Sequence, residues 1–122
     1  MKIIFVIFLC LLLGATACER SRAKFVINNQ TADVLDSIKI VPNGDSAHLY
    51  TSLMPDESGP YYADLRNVHS EGKFTLFFKK WGTNQHYSFD FGHFSNGKPQ
   101  DKQLFLEVWR DTILVKNRLE DF

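Results

Sequence analysis

Cysteine is scarce. The chain of 122 residues has two, Cys10 and Cys18, and none behind the second. No disulfide can form within residues 19–122, so whatever folds there must hold by packing. Charge of one sign is also lacking: 14 basic residues stand against 14 acidic ones. A neutral balance gives no electrostatic footprint for nucleic acid, which shows as a basic patch or a high pI, and no nucleic-acid partner is expected. After Leu13 no apolar run approaches the roughly 20 residues that cross a bilayer as a helix. His48, His69, His86 and His93 fall in separate segments, and no His–Cys cluster has the spacing of a zinc site. His86 and Asp90 share a strand face four residues apart, about 13 Å, too far to hold one metal together. No nucleophile elbow, phosphate loop or calcium loop occurs. No catalytic residue, metal or cofactor is therefore assigned. Internal repeats and low-complexity stretches are missing too.

What the chain does have begins at its start. Lys2 precedes Ile3 to Leu13, an unbroken apolar run of about 11 residues. That is too short to span a membrane and suits the apolar region of a secretory signal peptide. Gly14-Ala15-Thr16-Ala17 then offers small side chains to a peptidase, and Cys18 follows at once. Two readings compete for the Ala17–Cys18 bond. Ala15-Thr16-Ala17 satisfies the A-x-A rule of ordinary cleavage. That reading leaves an unpaired cysteine at the new N-terminus of a secreted protein, since Cys10 departs with the signal. The segment also resembles the bacterial lipobox, small residues before an obligatory cysteine. The resemblance implies a thioether-linked diacylglycerol on Cys18, cleavage by signal peptidase II and acylation of the new amine. Lipidation is the favoured reading. One short acyl chain binds membranes only marginally, and each further buried methylene adds about 0.8 kcal/mol, so several chains anchor durably. The expected organisation is a signal peptide over 1–17, a lipidated tether over 18–23 and one domain over 24–122.

The domain carries the alternation of half-buried strands. Strands are expected at Lys24–Asn28, Val34–Val41, weakly at Ala47–Met54, and at Tyr61–Val68 near an edge. Pro42–Asp45, Pro55–Pro60 and His93–Gln103 read as turns or loops. The strongest pattern is Phe74 to Gly92, where Phe74, Leu76 and Phe78 answer Tyr87, Phe89 and Phe91. Side chains alternate with period 2, so only an even-length connection brings both apolar sets to one face. Pairing Gly82 with Gln85 would set Trp81 opposite His86, Phe78 opposite Phe89 and Leu76 opposite Phe91. At the end of the chain, a two-residue turn at Arg110-Asp111 pairs Val108 with Ile113 and Leu106 with Val115. The expected fold is all-β: a single two-sheet sandwich of about seven to eight antiparallel strands, immunoglobulin-like or transthyretin-like in strand order, preceded by a cleaved signal helix. Eleven Phe, four Tyr and two Trp can fill its core.

The outward side of the two strong hairpins would display Phe77, Trp81, His86, Asp90, Phe105 and Trp109, with Lys79 and Glu107 between them. Exposed aromatics beside polar groups suit a protein or glycan partner. Loops could equally cover the two tryptophans, as large rings at sheet ends often pack under connections. Asp36-Ser37-Ile38, Asp45-Ser46-Ala47 and Asp111-Thr112-Ile113 each resemble the Asp-(Ser/Thr)-apolar acceptor of periplasmic O-glycosylation in some Gram-negative bacteria, which implies Ser37, Ser46 and Thr112 as acceptors. Asn29-Gln30-Thr31 is an N-x-T sequon, read as accidental in this setting.

Taken together, the chain is similar to small lipid-anchored β-sandwich lipoproteins of the bacterial envelope. The resemblance implies a non-catalytic binding or assembly module, bound to a membrane through lipid on Cys18, with the outer membrane favoured and a periplasmic or surface-side location. The contact surface would be Phe77, Trp81, His86, Phe105 and Trp109. The alternatives are an envelope hydrolase using His86 or His93 as base, or an inhibitor of such a hydrolase acting through Pro55–Pro60 or His93–Gln103.

Overall fold

The structure, a computed structural model, describes residues 21–44 and 51–117. The expected signal segment with Cys18, and residue Ser46, lie outside the described residues. Nine strands are described: β1 (Arg22–Asn29), β2 (Leu35–Val41), β3 (Thr51–Leu53), β4 (Ser58–Asp64), β5 (Glu71–Lys80), β6 (His86–Ser95), β7 (Lys98–Pro99), β8 (Gln103–Val108) and β9 (Ile113–Lys116). They form a four-stranded sheet, β4-β1-β8-β9, and a five-stranded sheet, β3-β2-β5-β6-β7. The two inner faces share one core, so the domain is a two-sheet β-sandwich. One pairing departs from the all-antiparallel expectation: β1 runs parallel with β8, Phe25 beside Leu104 and Ile27 beside Leu106. β1 is thus flanked by β4 and β8, which are distant in sequence, and local pattern could not announce that neighbour.

Alternation explains the core. In β1, Ala23, Phe25, Ile27 and Asn29 point inward and the residues between them outward. Phe25 meets the opposite sheet edge-on, with ring centroids 5.0 Å from Phe74 and 5.4 Å from Phe91. Phe94 adds a tilted ring 5.2 Å from Phe74. Edge-to-face pairs of this kind contribute about 0.5–1.5 kcal/mol each beyond their buried area.

The hairpin readings hold in parity and differ in detail. The β8–β9 turn is as expected, with Val108 opposite Ile113 and Leu106 opposite Val115, closed by the Trp109 amide donating to the Thr112 carbonyl at 2.8 Å. In the β5–β6 hairpin the connection is even, but the register lies two residues away. Lys79 faces His86, Phe78 faces Tyr87 and Leu76 faces Phe89. Trp81 is therefore in the turn and does not pair with His86. The turn closes early because Gly82 adopts φ +79° and the Thr83 amide and hydroxyl both donate to the Lys80 carbonyl.

Two loop expectations are corrected. His93–Gln103 is largely strand: β6 continues to Ser95, and Asn96-Gly97 makes a two-residue hairpin turn onto β7, Ser95 opposite Lys98. Both turn residues have positive φ, 48° and 80°, the backbone that Asn-Gly favours in such turns. β6 can continue because the register shifts at the bulge opposite Gly72–Phe74, where Gly92 has φ +65°. That shift turns Phe94 inward and His93 outward. The fourth strand is Ser58–Asp64 rather than Tyr61–Val68, so the Pro55–Pro60 loop shortens at its end. Past Asp64 the chain bends, with the Val68 amide donating to the Leu65 carbonyl. β4 is an edge strand, as expected, and tolerates Pro60 on that account. β1 starts at Arg22, two residues before the expected Lys24.

Asn29 ties the sheets together at one end. Its side chain is fully buried. Its Nδ2 donates to the carbonyls of Asp33 and Leu53, and its Oδ1 accepts from the Thr31 amide and hydroxyl. It thereby shapes the crossing from β1 to β2 and holds β3 to it. The same bonds leave no free amide for a glycan in the folded chain, in keeping with an accidental sequon. Asn29→Ala leaves several buried groups unpaired, each at about 1–3 kcal/mol. The expected loss is about 2–4 kcal/mol in urea unfolding, with the m-value unchanged.

Candidate functional site

Strand direction gives the sandwich two unlike ends. β1 enters at Arg22, and its amide-carbonyl neighbourhood fixes the chain start: the Leu65 amide donates to the Ser21 carbonyl at 2.8 Å. This is the proximal end. It also holds the start of the connection after β2, residues 42–44, and the connections after β4 and β6. The distal end holds the connections 30–34, 54–57, 81–85 and 109–112.

The expected contact surface divides between the two sheets. Phe77 and His86 lie on the outer face of the five-stranded sheet, whereas Phe105 lies half-buried on the outer face of the four-stranded sheet. The five residues do not form one continuous face, because β5–β6 and β8–β9 belong to opposite layers of the sandwich. Strand parity places each side chain outward correctly; it carries no information on which sheet a hairpin joins.

The structure does bring the two tryptophans to the same end. Trp81 is 69% exposed and Trp109 42% exposed, so neither ring is covered by loops. They flank the 30–34 crossing: the Trp81 amide donates to the Val34 carbonyl, and the Gln30 amide to the Val108 carbonyl. Met54, 56% exposed, projects from the neighbouring β3–β4 connection. Sequence reasoning missed Met54, which sat at the end of a weakly patterned strand.

Around Phe77 the outer face forms an open groove of about 520 Å³ lined by Ser37, Lys39, Phe77, Phe78, His86 and Tyr87. The Lys39 ammonium stands 5.4 Å from the Phe77 ring centroid. No carboxylate lines this groove among the described residues, and Asp90 is engaged by the Thr75 hydroxyl at 2.8 Å. His93 and His69 are exposed and lie away from it. Among the described residues no three His, Cys, Asp or Glu side chains gather as metal ligands. Ser37 is half-buried in a strand irregularity at φ 52°, its amide bonded to Asp36 Oδ1. Thr112 is exposed in the β8–β9 turn, which makes it the more accessible of the two described acceptor candidates.

At the proximal end the side chain of Asp64 is clasped by Arg66 through Nε and Nη2 at 2.7–3.1 Å. The Arg66 side chain, then its backbone amide, hold the Asp64 carboxyl below its ordinary range; burial opposes them more weakly, and the charges of Arg66 and Arg22 add still smaller lowering effects.

No protein-family model, curated protein or solved structure matches the chain.

The Asp64–Arg66 pair generates a pH prediction. A depressed folded pKa contributes stability above the unfolded pKa, and that contribution is lost as pH falls through the folded value. The pair is exposed at Arg66, so its worth is at most about 1 kcal/mol. Arg66→Ala is expected to raise the Asp64 titration midpoint followed by NMR. It should lower stability slightly at neutral pH and leave it unchanged once Asp64 is protonated in both states.

Proposed function

We propose that this chain is a lipid-anchored bacterial envelope lipoprotein that acts as a non-catalytic binding or assembly module. In this reading Cys18 carries the lipid, and the distal end presents Trp81 and Trp109 to a protein or glycan partner in the envelope. The observation that carries the second half is the exposure of both rings on connections at the end of the sandwich farthest from the chain start. Large aromatic side chains are the commonest anchors of binding energy when a partner covers them. Among the described residues no carboxylate lines the groove that holds Phe77 and His86, which favours binding over hydrolysis.

The anchor half is supported by the Ala17–Cys18 junction and by geometry. Ser21 is already bonded to the body, so residue 18 lies within about 10 Å of it. A lipid there would hold the proximal end against the bilayer and leave the distal end facing away.

Two measurements check these halves separately. Cells grown on a radiolabelled fatty acid should yield a labelled mature chain that loses its label in Cys18→Ser; an unlabelled chain released by a salt wash refutes the anchor. Trp81→Ala with Trp109→Ala should change unfolding free energy by no more than about 1 kcal/mol, since exposed sites contribute little. The same double variant should abolish a partner crosslink seen in intact cells with the wild-type chain. Undiminished crosslinking assigns the contact to another surface.

A further inference from the structure

The outer face of the four-stranded sheet is graded along its strands. At the proximal end Arg22 and Lys24 of β1 and Lys102, just before β8, surround Tyr62 of β4 and Gln103 in a shallow depression of about 290 Å³. No carboxylate lines it among the described residues. Arg22 and Lys24 are held by the sheet, and Lys102 stands on the connection that leads into it. The Arg22 guanidinium sits 4.1 Å over the Tyr62 ring. Lys24 stands between Tyr62 and Gln103 in register, and its amide donates to the Lys102 carbonyl at 3.0 Å. The carboxylate nearest in register, Asp64 opposite Arg22, has both oxygens on Arg66. One side-chain repeat further along, the character changes. Val26 stands between Pro60 and Phe105, with Lys116 opposite Phe105 on β9, and Leu114, 40% exposed, lies one repeat further, opposite Glu107. Cations beside an apolar band are the composition of a surface that settles into a lipid interface.

We infer that this face docks on an anionic phospholipid surface: Arg22, Lys24 and Lys102 take headgroup phosphates, and the apolar row of Pro60, Val26 and Phe105 rests against the acyl boundary. The inference rests on the proposed anchoring, which brings this face to the bilayer, and deepens it by fixing how the domain lies. Two observations choose lipid over other polyanions. The chain outside the described residues leaves from this same end, and its nearest apolar run, Ile3 to Leu13, or a lipid on Cys18, is itself membrane-seeking. The distal connections carry Asp33, Asp56, Glu57 and Asp111 against Arg110 alone, so the opposite end is repelled by an anionic leaflet. Each basic residue near such a leaflet raises partitioning about fivefold. The three together leave one orientation dominant, with Trp81 and Trp109 turned toward the aqueous side.

The test uses the full chain as recovered from membranes, reconstituted on vesicles of phosphatidylcholine alone or of equal parts phosphatidylcholine and phosphatidylglycerol. Acetylation rates of individual lysines are read by mass spectrometry. Lys24 and Lys102 are expected to react several-fold more slowly on the anionic vesicles, while Lys73 and Lys98, exposed on the other sheet, are unchanged. High salt should remove the difference, because exposed charges are screened within a Debye length of about 10 Å or less. Arg22→Glu with Lys24→Glu should remove the protection of Lys102. Equal rates on the two vesicle types, or slowing at Lys73 and Lys98 instead, overturn the inference. Protection on a chain without fatty acid at Cys18 refutes the anchor and supports the docking; a lipidated chain without protection refutes the docking alone.

Discussion

Everything in this domain depends on the meeting of Phe25 with Phe74 and Phe91. Phe25 belongs to an inner strand of one sheet, and the other two rings belong to adjacent strands of the opposite sheet. A sandwich without a disulfide in its domain relies chiefly on side-chain interdigitation to set how its layers stack. Truncating a buried ring of this size typically costs about 3–5 kcal/mol, comparable with the whole stability of a small domain. The aromatic cluster occupies the proximal half of the sandwich. At the distal end the work passes to a polar residue, Asn29, whose four bonds fasten the β1–β2 crossing and β3. One end is locked by shape and the other by hydrogen bonds. The loops beyond Asn29 can therefore carry exposed tryptophans without loosening the core.

The parts of the fold legible in the sequence were those with local causes. Alternation of Leu104, Leu106 and Val108 against Ile113 and Val115 fixes the last hairpin residue for residue, because a two-residue turn leaves no slack. The larger β5–β6 hairpin kept its parity and lost its register. Burial penalises an odd slip by turning every apolar side chain outward, but an even slip of two keeps all of them inward. Choosing between even registers falls to the turn, where Gly82 and Thr83 decided it. The Gly92 irregularity was illegible for a related reason. A bulge changes parity at a single residue, so Phe94 reads as loop until the shift is known, and only then as core.

The surface was legible in a narrower sense. Period-2 reasoning put Phe77, Phe105 and their neighbours on outward faces, which holds. It could not say that these faces look in opposite directions, since sheet membership is settled by β1 pairing in parallel with β8 across more than half the described chain. The same pairing builds what the sequence concealed. Lys24 and Lys102 lie far apart in the chain and act as neighbours only because that parallel register sets Lys24 beside Gln103.

Strand polarity then turns a local chemical event into an orientation. If residue 18 is fixed to a bilayer, the direction of β1 decides which connections face the membrane and which face away. Ser21 is already bonded to Leu65, so the freedom left to the body is tilt. A tilt is selected by whichever flank offers cations and apolar surface together, and the flank that does so is the outer face of the four-stranded sheet. The acidic distal connections oppose the reverse arrangement. The eight residues of β1 run from the basic flank at Arg22 and Lys24 toward the end that bears the tryptophans, so under the proposed anchoring the same strand that organises the core also sets what the domain can touch.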